Sequence, residues 1–168
     1  MRNETVCVMD TTALIVSNYV FSCKKAVTSR SVLNEVKDAK SRIMVEVAIS
    51  QGRLEIAVPK EEFIEKVRKI AEKTNDYGRL SVADLELLAV ALDLKEQGVK
   101  AKIFTDDYSV MNVAEALSID YQPIRTRGIS KHVRWIKYCP VCGRTFKGKI
   151  NSCPDCGVKL RYKALNRR

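Results

Sequence analysis

Four cysteines near the C-terminus have a type and spacing that predict metal binding. They form two copies of the pattern Cys-Pro-x-Cys-Gly, the first beginning at Cys139 and the second at Cys153. The two-residue gap lets both thiolates of a pair face one ion, proline stiffens the turn, and glycine allows backbone N–H groups to approach sulfur. We therefore predict a structural Zn²⁺ held by Cys139, Cys142, Cys153 and Cys156, with iron as the alternative metal.

The remaining two cysteines have no metal-ligand spacing. Cys7 falls in a short apolar run and is predicted to be a core residue, while Cys23 has no evident partner. The first ten residues lack the apolar segment and cleavage site of a secretory signal, so we predict a cytoplasmic, reducing location. That location favours metal ligation over disulfides for the paired cysteines.

Four acidic residues form a second candidate site. Asp10 follows the first predicted strand and Asp107 follows a later one, and ligands of open α/β sheets gather at the carboxyl ends of strands. Glu35 and Asp84, on predicted helices, can face the same opening. Four carboxylates repel one another unless a cation joins them, so we predict that together they bind Mg²⁺ or Mn²⁺.

Each acid also has a purely structural interpretation. Ser81 and Asp84 fit a helix capping box, Asp107 fits the N-cap of the next helix, and Glu35 fits a solvated helix position. Asp10 has no obvious local capping partner. Both interpretations remain open from position alone.

The elements that must position these acids alternate along the chain. Apolar periodicity predicts strands at 5–9, 54–58, 101–104 and 119–123, and helices within 29–51, from Phe63 to Ala71, from Ser81 to Gly98 and from Tyr108 to Leu117. Strands separated by helices predict right-handed βαβ units with a parallel, helix-covered sheet, so the fold class is α/β. No apolar run approaches the roughly 20 residues needed to span a bilayer.

Charge is divided unevenly along the chain, whose formal net charge is +10. Residues 125–168 contain 13 Lys and Arg against one Asp, a net charge of +12, which leaves −2 for residues 1–124. Cations interleaved with aromatic side chains are typical of RNA binding, although a solubilising tail is the alternative. The predicted RNA-binding residues are Arg125, Arg127, Lys131, Arg134, Trp135, Lys137, Lys147 and Lys149.

The order of the acids matches a known family. PIN-domain nucleases have an Asp closing the first strand, a helical Glu, an Asp opening a later helix, and Thr-x-Asp after the next strand. Residues 1–125 resemble this pattern in the ordered set Asp10-x-Thr12, Glu35, Ser81-x-x-Asp84 and Thr105-x-Asp107. With the run from Thr105 to Asn112 and with Trp135 shortly before the zinc ribbon, the whole chain resembles archaeal Nin-one-binding (Nob) ribosome-biogenesis endonucleases.

Helical and strand periodicity fades after Pro123, so together with this resemblance we predict a PIN-like domain at 1–124, a basic linker at 125–137, a zinc ribbon at 138–163 and a basic tail at 164–168. The resemblance also implies an endoribonuclease that forms the mature 3′ end of small-subunit rRNA on a pre-ribosomal particle, with a KH-domain protein as a partner. Asp10, Glu35, Asp84 and Asp107 would be the catalytic metal ligands.

Three further residues complete the predicted metal site. Thr12 and Thr105 would orient carboxylates or water, and Asp106 is an alternative to Asp107 or shares its metal. His132 is the only histidine, which excludes a mechanism that uses two histidines as acid and base. A toxin-type PIN ribonuclease and a noncatalytic RNA-binding assembly factor remain the competing functions.

Overall fold

A computed structural model describes residues 5–16, 19–125, 134–148 and 150–165. The chain forms two compact units, Met1–Ile129 and Ser130–Arg168. Among the described residues, no helix has both the length and the apolar character to cross a membrane.

The first unit contains a sheet of five strands, β1 (Val6–Met9), β2 (Ala26–Ser29), β3 (Leu54–Ala57), β4 (Ala101–Phe104) and β5 (Asp120–Gln122). Their order across the sheet is β3-β2-β1-β4-β5, and every neighbouring pair is parallel. This confirms the predicted α/β class. The chain steps outward from β1 to β3 and then from β4 to β5, so the winding direction reverses between β1 and β4.

In the part of the chain that the structure describes, seven helices accompany this sheet: α1 (Thr11–Ile15), α2 (Tyr19–Ser22), α3 (Arg30–Glu35), α4 (Ala39–Ser50), α5 (Glu61–Thr74), α6 (Val82–Glu96) and α7 (Tyr108–Ala116). Helix α6 packs against β1, β2 and β4 as well as α3, α5 and α7. It therefore carries apolar residues around most of its circumference, and eight of its side chains are buried.

Strand β2 and the short helices α1 and α2 were not predicted. Strand β2 is a four-residue run, Ala-Val-Thr-Ser, and all four of its side chains are buried. A run of that length shows no alternation, so only its parallel pairing with β1 and β3 identifies it as a strand.

Cys7 and Cys23 are joined by a disulfide bond. The prediction that Cys7 is buried in a strand is confirmed, but the prediction that Cys23 lacks a partner was wrong. The two are 16 positions apart in sequence, and the segment that contains α1 and α2 returns beside β1. Sequence spacing does not show such a return.

Reducing this disulfide should lower the free energy of unfolding by about 3 kcal/mol, the chain-entropy effect expected for a loop of this size. The measurement is denaturant unfolding of the oxidised protein with and without a phosphine reductant. The variant Cys23→Ser is the control, since it cannot form the bond and should not respond to the reductant. Equal stability of the oxidised and reduced wild type would contradict the prediction.

The second unit contains a three-stranded antiparallel sheet of β6 (Arg134–Tyr138), β7 (Thr145–Phe146) and β8 (Arg161–Leu165), in the order β7-β6-β8. The prediction of a linker without regular structure through residue 137 was wrong at its C-terminal end, which forms β6. Strand β8 likewise extends past the predicted end of the ribbon at residue 163. Strands β6 and β8 pair residues that are about 27 positions apart in sequence. Local periodicity does not detect pairing over such a distance.

Candidate active site and metal centre

Asp10 lies where the winding direction of the sheet reverses, the position at which open α/β sheets bind ligands. It follows β1, is 7% exposed, and its Oδ2 accepts a hydrogen bond of 2.6 Å from the hydroxyl of Thr105, which follows β4. The Asp10 N–H in turn donates to the carbonyl of Phe104 at 3.2 Å. The ends of β1 and β4 therefore hold this carboxylate in one orientation.

Thr11 joins Asp10 to Glu35, a role that sequence reasoning did not assign to it. Its N–H donates to Asp10 Oδ1 at 2.6 Å, and its hydroxyl donates to Glu35 Oε2 at 2.9 Å. Glu35 is the last residue of α3 and is exposed. Asp10 is also the N-cap of α1, so the view that it lacks a local capping partner was wrong. Thr12 lies one position further along α1 and is partly exposed.

Asp84 and Asp107 both make the capping interactions that their positions predict. Asp84 forms a reciprocal capping box with Ser81 at the start of α6, with bonds of 2.7 and 3.1 Å. Asp107 is the N-cap of α7 and accepts from the N–H groups of Ser109 and Val110. Capping does not exclude a second role, because each carboxylate retains lone pairs that these bonds leave unused.

The acids affect one another electrostatically. Burial, together with the charges of Asp84 and Asp107, raises the pKa of Asp10 to about 6, although the hydrogen bonds from Thr105 and Thr11 lower it. Burial also raises the pKa of Asp84, with contributions from the charges of Asp107 and Glu35. All four predicted acids thus contribute to one region of negative potential.

The donor chemistry of this region fits a hard divalent cation. Nearby carboxylates that raise one another's pKa are stabilised by a cation between them. Mg²⁺ is such a cation, since it keeps several waters and binds one or two carboxylates directly.

Asp106 makes contacts that separate it from Asp107. Its Oδ1 accepts from the N–H groups of Ile124 and Arg125 at 2.9 and 3.0 Å, and its Oδ2 is 3.2 Å from the Arg125 nitrogen. Asp106 therefore bonds to the chain that follows β5. Asp107, by contrast, is the neighbour whose charge acts on Asp10 and Asp84.

The four C-terminal cysteines form the predicted cluster. All four sulfur atoms lie within 4.8 Å of one another. The Sγ atoms of Cys142 and Cys153 are 3.8 Å apart, close to the separation of about 3.8 Å that follows from tetrahedral geometry with Zn–S bonds of about 2.3 Å. The N–H groups of Val141 and Cys142 point at Cys139 Sγ, each at 3.4 Å.

The glycines of the two cysteine turns have the conformation predicted for them. Gly143 and Gly157 have φ angles of 72° and 67°, and their N–H groups donate to the carbonyls of Cys139 and Cys153 at 2.9 Å. A side chain at either position would be strained, because such positive φ values are unfavourable for residues with a Cβ atom. The donor set and its supporting turns fit a tetrahedral metal ion.

The predicted RNA-binding residues are distributed over both units. Arg125 and Lys147 are exposed, and Trp135 is partly exposed in β6. Lys137 is partly exposed, and its Nζ donates to the carbonyl of Ile150 at 2.9 Å and to Asn151 Oδ1 at 3.0 Å. Arg127, Lys131, Lys149 and the side chain of Arg134 lie outside the described residues, as does His132.

Sequence reasoning missed two cations on the ribbon sheet. The register pairs Ile136 with Lys163 and Tyr138 with Arg161, which places these four residues on one face. Arg161 and Lys163 are exposed, and Lys163 Nζ lies 5.2 Å from the centre of the Tyr138 ring. Cations that lie beside aromatic side chains on paired strands would have identified these two residues. That arrangement can be recognised only when the register of the strands is known.

Comparison with known proteins gives two kinds of match. A family model described as the PIN domain of ribonuclease matches residues 7–94. Endoribonuclease Nob1 of Pyrococcus abyssi is 43% identical over 138 residues, which cover 80% of this chain and 81% of that protein. Ribonuclease VapC1 of Thermoplasma acidophilum is 35% identical over 157 residues, covering 92% of this chain and 77% of that protein.

A eukaryotic relative matches over a shorter region. The 20S-pre-rRNA D-site endonuclease NOB1 of Saccharomyces cerevisiae is 36% identical over 91 residues, which cover 52% of this chain and 20% of that protein.

Proposed function

Because this chain belongs to the PIN-domain ribonucleases and, among them, to the Nob1 endoribonucleases, we propose that it cleaves precursor small-subunit rRNA to form the mature 3′ end. The observation that carries this proposal is the acidic site itself. Asp10 is bonded to Thr105 where the sheet reverses its winding, and the charges of Asp84 and Asp107 act on it. Clustered acids at that position are suited to phosphodiester hydrolysis with a divalent cation.

Asp10, Glu35, Asp84 and Asp107 would hold Mg²⁺ or Mn²⁺, and they are the residues to which we assign catalysis. The bound cation would lower the pKa of a water molecule and neutralise charge on the scissile phosphate. Thr105 keeps Asp10 oriented through its hydroxyl, and the Thr105 Oγ1 also accepts the N–H of Asp107 at 3.0 Å. One threonine thereby sets the positions of two carboxylates.

Thr11 and Glu35 are suited to handling the attacking water. Glu35 is exposed, and the Thr11 hydroxyl donates to its Oε2, so Oε1 can accept a proton from water. The assignment of Thr12 to orient carboxylates or water stays a prediction. Asp107 is preferred to Asp106 as the fourth acid because the Asp106 carboxylate bonds to the backbone of Ile124 and Arg125.

The basic C-terminal part would supply affinity for RNA, since an acidic site by itself repels phosphate. Zn²⁺ in the cysteine cluster would hold the ribbon sheet, whose Tyr138, Arg161 and Lys163 suit unpaired bases and their phosphates. The setting would be a pre-ribosomal particle in the cytoplasm, with a KH-domain protein as a partner.

Two competing functions make different predictions. Relatives named as VapC ribonucleases favour a toxin-type ribonuclease, and one of them matches over 92% of this chain. Such an enzyme would cleave other cellular RNAs in preference to the rRNA precursor. A noncatalytic assembly factor would bind the precursor and divalent cations without cleaving any RNA.

The test uses a small-subunit rRNA fragment that extends past the mature 3′ end. Incubation with this protein and Mn²⁺ should produce one main cut at the mature end, and sequencing of the products maps it. A fragment with the sequence around that end scrambled is the control and should remain intact. Equal cleavage of both fragments would favour the toxin-type function, and no cleavage of either would favour the assembly factor.

A further inference from the structure

We propose that Asp106 is a positioning residue that anchors the start of the RNA-binding segment to the catalytic end of the sheet. It lies between Thr105 and Asp107, both part of the acidic site, yet its carboxylate bonds to the chain that leaves β5. This inference rests on the proposed function, because the anchor acts only on RNA held by the basic part of the chain.

The anchor begins where the backbone pairing of β4 and β5 ends. The last backbone bond of this pair runs from the Thr105 N–H to the Gln122 carbonyl at 3.2 Å. Residue 123 is proline and has no N–H, so Ile124 and Arg125 carry the next two donors. Asp106 accepts from both, and its side chain thereby continues the attachment of the edge strand for two more residues.

The two residues whose N–H groups donate to Asp106 differ in their burial. Ile124 is partly buried and packs against the apolar core, whereas Arg125 is exposed. Arg125 is also the first of the 13 cations of residues 125–168. Asp106 therefore determines the point at which the basic part of the chain departs from the nuclease unit.

A fixed departure point affects how often bound RNA reaches the acids. From Arg125 to the start of β6 the chain has roughly nine residues, which span at most about 32 Å when extended. Residues released from the sheet lengthen this tether, and the effective concentration of a tethered substrate falls as its tether lengthens. Loss of the anchor should thus slow cleavage of RNA that is bound by the C-terminal part, while the positions of the four catalytic acids stay unchanged.

Two substitutions at this position separate anchoring from metal ligation. Asp106→Ala removes both acceptors, whereas Asp106→Asn keeps a side-chain oxygen where Oδ1 accepts from Ile124 and Arg125 and removes only the charge. An anchor needs the oxygen, so asparagine should replace aspartate. A metal ligand needs the charge, so asparagine and alanine should both fail.

The experiment compares wild type, the two variants and the control Asp120→Ala, which removes an exposed carboxylate from the first residue of β5. Each protein is given the rRNA precursor fragment and a short single-stranded RNA that spans only the cleavage site. We expect Asp106→Ala to lower kcat/KM on the precursor about 1.4-fold, the effect of lengthening a tether of roughly nine residues by the two released residues when effective concentration falls as the −3/2 power of tether length. On the short RNA it should match wild type, and Asp106→Asn should match wild type on both.

Amide hydrogen exchange gives a second readout that does not depend on cleavage. The N–H groups of Ile124 and Arg125 should exchange faster in Asp106→Ala and at the wild-type rate in Asp106→Asn. The inference is overturned if Asp106→Ala equals wild type on the precursor, if it is equally impaired on both substrates, or if asparagine fails as alanine does. If wild type cleaves neither RNA, the proposed function fails, while hydrogen exchange still decides whether Asp106 holds the chain.

Discussion

Replacing Asp10 with asparagine should abolish RNA cleavage and, in the absence of divalent cations, stabilise the protein above pH 6. We expect a loss of activity greater than the ~10- to 100-fold effect typical of residues that only support a metal ligand. Asp10 lies at the centre of the site, bonded to Thr105 and Thr11, and asparagine keeps the size of the side chain while removing its charge. The measurement is the cleavage rate of the rRNA precursor with Mn²⁺.

The stability effect follows from the pKa of Asp10, which burial raises from 3.8 to about 6. Between those pH values the folded protein binds this proton more tightly than the unfolded chain, so stability falls as pH rises toward 6 and stays reduced above it. The shift corresponds to up to about 3 kcal/mol. Asparagine stays neutral, and its amide can accept from the Thr11 N–H and donate to the Thr105 hydroxyl.

Unfolding of both proteins at pH 3 and pH 7, after dialysis against buffer without Mg²⁺ or Mn²⁺, tests this expectation. The variant should gain stability over wild type at pH 7 and lose that advantage at pH 3. Adding Mn²⁺ should stabilise wild type more than the variant. Asp120→Asn is the control, since that acid is exposed on β5 and should show neither effect. Full cleavage activity in Asp10→Asn would disprove the metal-nuclease mechanism.

Removing two of the predicted zinc ligands should unfold the C-terminal sheet and leave the nuclease unit folded. Among the ribbon residues that the structure describes, the buried core consists of Cys139, Cys153 and Leu160, and the two cysteines are predicted zinc ligands. Such a core cannot offset the conformational entropy of the unit, whereas structural Zn²⁺ contributes about 10–16 kcal/mol of apparent binding free energy. We therefore expect the double variant Cys139→Ser/Cys142→Ser to contain no zinc and to lose the signals of β6, β7 and β8.

RNA affinity should fall in this variant, but less than in a chain truncated after residue 124. An unfolded ribbon retains the positive charge of residues 125–168, so salt-dependent attraction persists. It loses the ordered aromatic surface, and stacking is worth about 1–3 kcal/mol per base, or roughly 10- to 100-fold in affinity. The truncated chain should lose both contributions.

Val141→Ala is the matched control for the ligand variants. Val141 lies between the first two ligands with 70% of its surface exposed, so its replacement should preserve zinc content and RNA affinity. Zinc content is measured by atomic absorption and affinity by titration at several salt concentrations. Wild-type affinity in the truncated chain would show that the nuclease unit alone binds RNA.

The sequence by itself determined the features whose chemistry depends on local spacing. The two Cys-Pro-x-Cys-Gly turns require only four or five consecutive residues, and the structure brings their sulfur atoms together as predicted. The separation of charge at residue 124 is a property of composition. The order of Asp10, Glu35, Asp84 and Asp107 predicted the family because each acid follows a strand or belongs to a helix with a recognisable apolar pattern.

Tertiary structure decided which oxygen, sulfur and nitrogen atoms meet. The Cys7–Cys23 disulfide, the link from Thr11 to Glu35 and the attachment of Asp106 to the chain after β5 join residues that are 16, 24 and at least 18 positions apart. Strands β2, β6 and β8 also depend on pairing with distant neighbours. Local sequence limits backbone conformation over a few residues, whereas these contacts depend on how the chain returns to itself, and that is set by the packing of the whole unit.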